Sequence, residues 1–205
     1  MVKLICAHQY IPAEGDDTPR CICDGGVCMD PGNLGCMKKT IEMYPRQERQ
    51  TIFSNCRQYR YTLWREWDMI NPSFAMIVGL NPSTADETKD DPTVRRCIEY
   101  AKSWGYGALC MTNIFAFRAT DPKDMKAAVD PVGPDNNLWL RRIADHADIV
   151  IAAWGTHGNY CGRDNAVLAI LDSVSCLGVT KAGHPKHPLY LPKGLHPIPF
   201  QEVNR

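Results

Sequence analysis

The sequence predicts an α/β protein, a three-layer sandwich around a central, mainly parallel sheet of about four strands, with a cysteine-rich N-terminal segment in front of it. Three observations lead there. Phe74–Leu80 (FAMIVGL), Ala108–Phe117 (ALCMTNIFAF) and Asp148–Trp154 (DIVIAAW) are apolar runs with little polar interruption, as strands covered on both faces require. Between them lie stretches with helical spacing, such as Val94, Cys97, Ile98, Ala101 and Trp104. The alternation of the two patterns is that of right-handed crossover units, which bring the carboxyl ends of all strands to one rim.

Each element has its own signals. Tyr59–Glu66 alternates Tyr59, Tyr61 and Leu63 with polar residues and reads as a strand at a sheet edge. The run at Phe74 stops at Asn81-Pro82. Asp91 before Pro92 is placed to cap a helix that ends at Gly105. Further helices are expected over 135–147 and 165–177, and a last short strand over Lys186–Leu191 (KHPLYL). Residues 1–36 are loop-like and lack any period, so they form a separate segment before an α/β domain over 37–205.

Composition excludes several classes. Hydrophobic residues make up 44%, enough for a sizeable core. No apolar run approaches the ~20 residues of a membrane span, so a cytoplasmic monomer without a membrane partner is expected. The chain carries 23 basic and 23 acidic residues. From Met37 to Arg65, however, seven basic residues face two acidic ones, a local balance of +5, with Tyr44, Tyr59, Tyr61 and Trp64 among them. Such a patch either follows a phosphate backbone or is an ordinary solvated face.

Of the ten cysteines, Cys21, Cys23, Cys28 and Cys36 fall within sixteen residues poor in apolar side chains. They fit thiolate ligands of a structural zinc ion or an iron–sulfur cluster, or else free thiols on an arm. The spacing is not the paired C-x-x-C of a zinc ribbon.

Ligands of parallel sheets sit beyond the strands' carboxyl ends. Asn81 to Asp86 follow the first strand, Asn113 ends the second, Trp154 to Gly158 follow the third, and His184, Lys186 and His187 surround the last. No G-x-G-x-x-G or Walker loop occurs. Amides, imidazoles and aromatic rings suit a flat, uncharged ligand such as a nucleobase, with Asn113 on its hydrogen-bonding edge and Phe115 against its face.

Gly79-Leu80-Asn81-Pro82 resembles the first motif of the uracil-DNA glycosylase superfamily, in the form of its mismatch-specific branch. Asn113 is similar to the base-reading asparagine of that superfamily, Ala153-Trp154-Gly155 to its third strand, and His187-Pro188-Leu189 to its His-Pro motif. Gly79–Leu191, with Asn113-Ile-Phe-Ala-Phe-Arg-Ala-Thr-Asp-Pro122, also resembles a bacterial and phage family of unknown function with a Gly-Leu-Asn-Pro-Ser-Thr-Ala motif. The first resemblance implies a monofunctional DNA glycosylase that flips a modified or damaged base out of the helix and leaves an abasic site. The second implies a modified phage base as target, in antiviral defence.

By that resemblance Asn81 orients the attacking water, with Asp86 polarising it, and His187 faces the scissile bond. The most active branch has aspartate where Asn81 stands, and asparagine positions water without deprotonating it. His184-Pro185 is a second His-Pro pair beside the one at His187. Asn113, Phe115, Leu80, Pro82 and Trp154 would contact the base, and Ser83, Thr84, Arg60, Lys186 and His184 the DNA backbone. The chemistry itself needs no cofactor. Two alternatives remain open: an enzyme of free nucleosides or nucleotides, and a non-catalytic nucleic-acid-binding module.

Overall fold

The computed structural model describes residues 48–200 and, by backbone, residues 21–23 and 26–28. The chain divides into two compact units, Met1–Pro45 and Arg46–Arg205. The division is later than the one composition suggests after residue 36. In the first unit β1 (Cys21–Cys23) and β2 (Gly26–Cys28) pair antiparallel, with Cys21 opposite Cys28. The thiolates expected to bind metal, Cys36 included, otherwise lie outside the described residues.

The second unit is built on β3 (Arg49–Phe53), β4 (Arg60–Glu66), β5 (Phe74–Gly79), β6 (Ala108–Asn113), β7 (Ile149–Ala152), β8 (Ser175–Cys176) and β9 (Ile198–Pro199). They form one seven-stranded mixed sheet in the order β3-β4-β6-β5-β7-β8-β9. This overturns the expected mainly parallel sheet of about four strands. The β3–β4, β4–β6 and β8–β9 pairings are antiparallel, whereas β6–β5, β5–β7 and β7–β8 are parallel. Apolar periodicity reports which faces of a strand are covered and is silent on its direction. The turn at 54–59 sends β4 back along β3, and β6 then covers its other edge. β4 is therefore internal, not an edge strand.

Two expected elements also change. Lys186–Leu191 forms no strand, because Pro185, Pro188 and Pro192 remove the donors a ladder needs; Pro188–Tyr190 is a single 3-10 turn. The last helix is the short α4 (Arg163–Leu168). Before it come α1 (Pro92–Ser103), α2 (Pro122–Ala127) and α3 (Asn136–Ala144). Asp91 caps α1, its carboxylate accepting from the Val94 amide at 2.8 Å.

The period-two alternation of β5 divides the core. Ala75 and Ile77, with Leu109 and Ile151, pack against Val94, Cys97, Tyr100 and Ala101 of α1. Met76 and Val78, with Cys110 and Ala152, pack against Met125 of α2, Leu140 and Ile143 of α3 and Val167 of α4. Helices thus cover both faces of the central strands. Because β5, β6 and β7 are parallel, their carboxyl ends share one rim. The amino end of antiparallel β4, at Arg60, lies on the same rim. No described helix is long and apolar enough to cross a membrane.

Candidate functional site

The rim begins at the last rung of the β5–β6 ladder, where Gly79 stands opposite Asn113. A Cβ at Gly79 would come within 2.7 Å of the Asn113 amide nitrogen. Glycine is required there because the asparagine side chain lies across the neighbouring backbone. Beyond the ladder the two loops stay together. Ile114 and Phe115 donate to the carbonyls of Gly79 and Leu80, and Ala119 donates to Pro82. Asn81 closes this seam from its side chain, Nδ2 donating to Ala119 at 2.7 Å and to Pro82 at 3.2 Å. Both amide protons are thereby engaged. Oδ1, with no partner among the described residues, is left as an acceptor.

Asn113 is only 4% exposed. Its Oδ1 accepts from Arg60 at 3.4 Å, while its carbonyl and that of Ile114 are held by Asn136 Nδ2 at 3.1 and 2.9 Å. Arg163 Nε adds a second donor to Ile114 at 2.7 Å. Arg60, expected as a phosphate contact, is 2% exposed and donates to the Ala85 carbonyl at 2.8 Å. Burial pulls its guanidinium down to about 10. It anchors the inside of the rim, out of reach of a DNA backbone.

Other arginines of the basic segment also have partners in the loop after β5. Arg49 and Arg65 both bind Asp90, at 3.2 and 2.7 Å, and Arg65 also donates to the Asp86 carbonyl. Arg57 pairs with Glu87 at 3.0 Å. Arginines at 49, 57, 60 and 65 thus hold the loop over residues 85–90 in place. Asp86, expected beside the water, accepts on Oδ1 from the Thr88 amide, the Thr88 hydroxyl and the Lys89 amide. Those donors hold its carboxyl down to about 2. A carboxylate so stabilised is a poor base and serves the turn.

Between the 54–59 turn and the two rim loops opens a cleft of about 500 Å³. It is lined by Arg57, Gln58, Ser83, Thr84, Phe117, Arg118, Ala119 and Thr120. Its lining has cationic groups and hydroxyls and no carboxylate.

A model of the family described as a protein of unknown function (DUF1643) matches residues 60–189. The chain belongs to that family. The stretch shared with DUF1643 runs from the buried Arg60 past His187 and takes in the ends of β5, β6 and β7, with Arg57 and Gln58 of the cleft just before it. No curated protein and no solved structure matches the chain.

The remaining expected site residues of this DUF1643 member fall elsewhere. Ser83 and Thr84 line the cleft, and Leu80 and Pro82 lie in the seam behind it. Phe115 is 1% exposed and packs near Tyr160, so it is a core ring and not a stacking platform. Trp154 and His184 line a second cleft of about 330 Å³, with Asp164, Asn165, Pro185 and Phe200. Trp154 is 2% exposed, and a Cβ at Gly158 would come within 2.0 Å of its ring. Lys186 is exposed, its amide bonded to Gly178.

His187 borders neither cleft and shares no hydrogen bond with Asn81 among the described residues. Its ring lies 5.6 Å from that of Tyr190, and its Nδ1 takes the Leu189 amide at 3.4 Å. Burial lowers its pKa, opposed by the charge of Asp91. A neutral ring accepting at Nδ1 carries its proton on Nε2 and presents a donor there. Asp91 also acts on Arg60. Sequence reasoning missed Arg118, Asn136 and Arg163. Of the three, Arg118 had a signal, standing five residues after Asn113 in the same motif segment.

Proposed function

We propose that this DUF1643 member is a base-excising enzyme acting on nucleic acid, hydrolysing an N-glycosidic bond and leaving an abasic site. The observation that carries the proposal is the pinned Asn81. With Nδ2 held by two carbonyls, its Oδ1 has a fixed direction at the rim, as an acceptor that orients water must. Asn113, which the resemblance gives as the base reader, ends the adjacent strand and is held at its Oδ1 by Arg60.

The transition state for such a reaction is oxocarbenium-like, with an anionic leaving base. It calls for oriented water and for a donor near the departing base. Asn81 supplies the first. For the second we propose the neutral Nε2–H of His187, on the His-Pro resemblance alone, since its ring borders neither cleft. Asp86, bound into its turn, is left out of the chemistry, so the enzyme is of the kind that positions water and does not deprotonate it.

The test is incubation of the full chain with a panel of DNAs carrying natural, damaged and phage-type modified bases, followed by mass spectrometry of released bases. Free base from at least one member is expected; none from any would refute the proposal. For the first unit we propose a structural zinc or iron–sulfur site, supported by the β1–β2 register that sets Cys21 opposite Cys28. Elemental analysis should find about one metal site per chain, and metal-free protein would remove it.

A further inference from the structure

We infer that Arg57 and Arg118 form a phosphate clamp at the mouth of the rim cleft, completed by the hydroxyls of Ser83, Thr84 and Thr120. The inference deepens the base-excision reading and rests on it for nucleic acid as the source of the phosphate.

Arg57 is the first indication. It sits in the turn between β3 and β4 with φ +57°, a left-handed conformation in which an L side chain is strained and glycine is not. Its guanidinium carbon lies 4.1 Å from the centroid of the Phe53 ring. The Arg118 guanidinium lies 4.8 Å from the same centroid. Both guanidinium groups thus pack on the Phe53 ring, and both arginines line the cleft, where an anion meets two cations.

The donors are also incompletely used. Arg118 donates through Nη1 to the Arg57 carbonyl at 3.1 Å and its Nε is buried, which leaves Nη2 as its donor for a ligand. Arg57 is paired with Glu87 on the solvent side, both side chains being about half exposed. Exposed pairs of this kind are weak. A phosphate bound between planar guanidinium forks makes stronger, charge-assisted bonds and displaces the carboxylate. Ser83 and Thr84 come from the loop after β5 and Thr120 from the loop after β6, so a bound phosphate would also bridge the two loops of the seam.

Two sources present this chemistry: the phosphodiester of a strand and the 5′-phosphate of a free nucleotide. The experiment measures binding of a fluorescein-labelled single-stranded deoxyoligonucleotide without terminal phosphates, by anisotropy. Unlabelled deoxynucleoside 5′-monophosphate and the corresponding deoxynucleoside serve as competitors. Arg57→Gly should weaken binding of whichever phosphate-bearing probe binds by about tenfold. It should also reduce the log–log salt slope by about one, while the thermal midpoint stays level or rises because the strained residue is gone. Glu87→Gln should tighten binding several-fold by freeing Arg57.

Oligonucleotide binding that the monophosphate does not compete supports a backbone phosphate. Competition by the monophosphate, without competition by the nucleoside, supports a terminal one. Equal competition by nucleoside and monophosphate overturns the clamp, as does unchanged binding in both Arg57→Gly and Arg118→Gln. Base release, measured separately on the same DNA, keeps the two proposals apart. Phosphate binding without release leaves the clamp and removes the glycosylase, whereas release with unaltered binding in the arginine variants does the reverse.

Discussion

The two clefts described in the second unit are built from different parts of the fold. The one at Arg57 and Arg118 is walled by loops that carry two guanidinium groups and three hydroxyls. The one at Trp154 and His184 has an aromatic floor that belongs to the core. Trp154 meets Phe200 edge-on at 6.1 Å and is pressed by Gly158 from the side. Motifs that the strand-end rule assigns to one rim therefore do two jobs. On the proposed reading the segment after β5 builds a place for a ligand, while the segment after β7 locks the end of the sheet.

Substitutions separate the two jobs. Trp154→Ala empties a buried ring site and should cost about 3–5 kcal/mol of stability, read by denaturant unfolding. A fully stable variant that lost ligand binding would make the second cleft the functional one. Asn136→Ala removes the donor to the Asn113 and Ile114 carbonyls, and stability should fall by about 1–3 kcal/mol. Base release should fall further than stability explains, because Asn113 loses its support.

The titration of His187 sharpens the comparison from the side of the chemistry. Burial lowers its pKa below the ordinary ~6.5, so the unfolded chain takes up the proton first as pH falls. Its contribution to stability is fully present above that value and is lost on acidification through it toward the lower folded value. A rate that depends on the neutral ring should be level from about pH 7 to 8 and fall in acid. A rate that rises on acidification would assign the work to the cation.

The smallest effect is expected at Asp86. Its contribution to stability is present above the ordinary carboxylate value of ~3.9 and is lost as pH falls toward 2. Asp86→Asn keeps an Oδ1 acceptor for the turn, so base release at neutral pH should change by no more than about threefold. A loss of about a hundredfold would make it the general base after all.

The legible parts of the chain were those in which one residue's neighbours in sequence carry the signal. β5 and α1 stood out because an unbroken apolar run and a capped, periodic helix leave local traces. β8 and β9, at two residues each, leave none, and the direction of β4 is set by a turn that apolar pattern does not encode. The rim was legible in the same sense: Asn81 and Asn113 could be placed at strand ends, and the register then set Gly79 against Asn113. The basic segment was left open between two readings because charge counting ignores partners. Asp90, Glu87 and the carbonyls of Ala85 and Asp86 all come from a later loop, and they engage Arg49, Arg57, Arg60 and Arg65.

Base release by wild type and by Asn81→Ala tests the central claim most directly. Susceptible DNA would be treated without added divalent metal, then analysed with and without hot alkali. Wild type should yield free base and breaks that appear only after alkali, and Asn81→Ala should do so about 10²–10³-fold more slowly. Breaks that form without alkali and require a divalent metal would contradict the account, as would release that Asn81→Ala leaves unchanged.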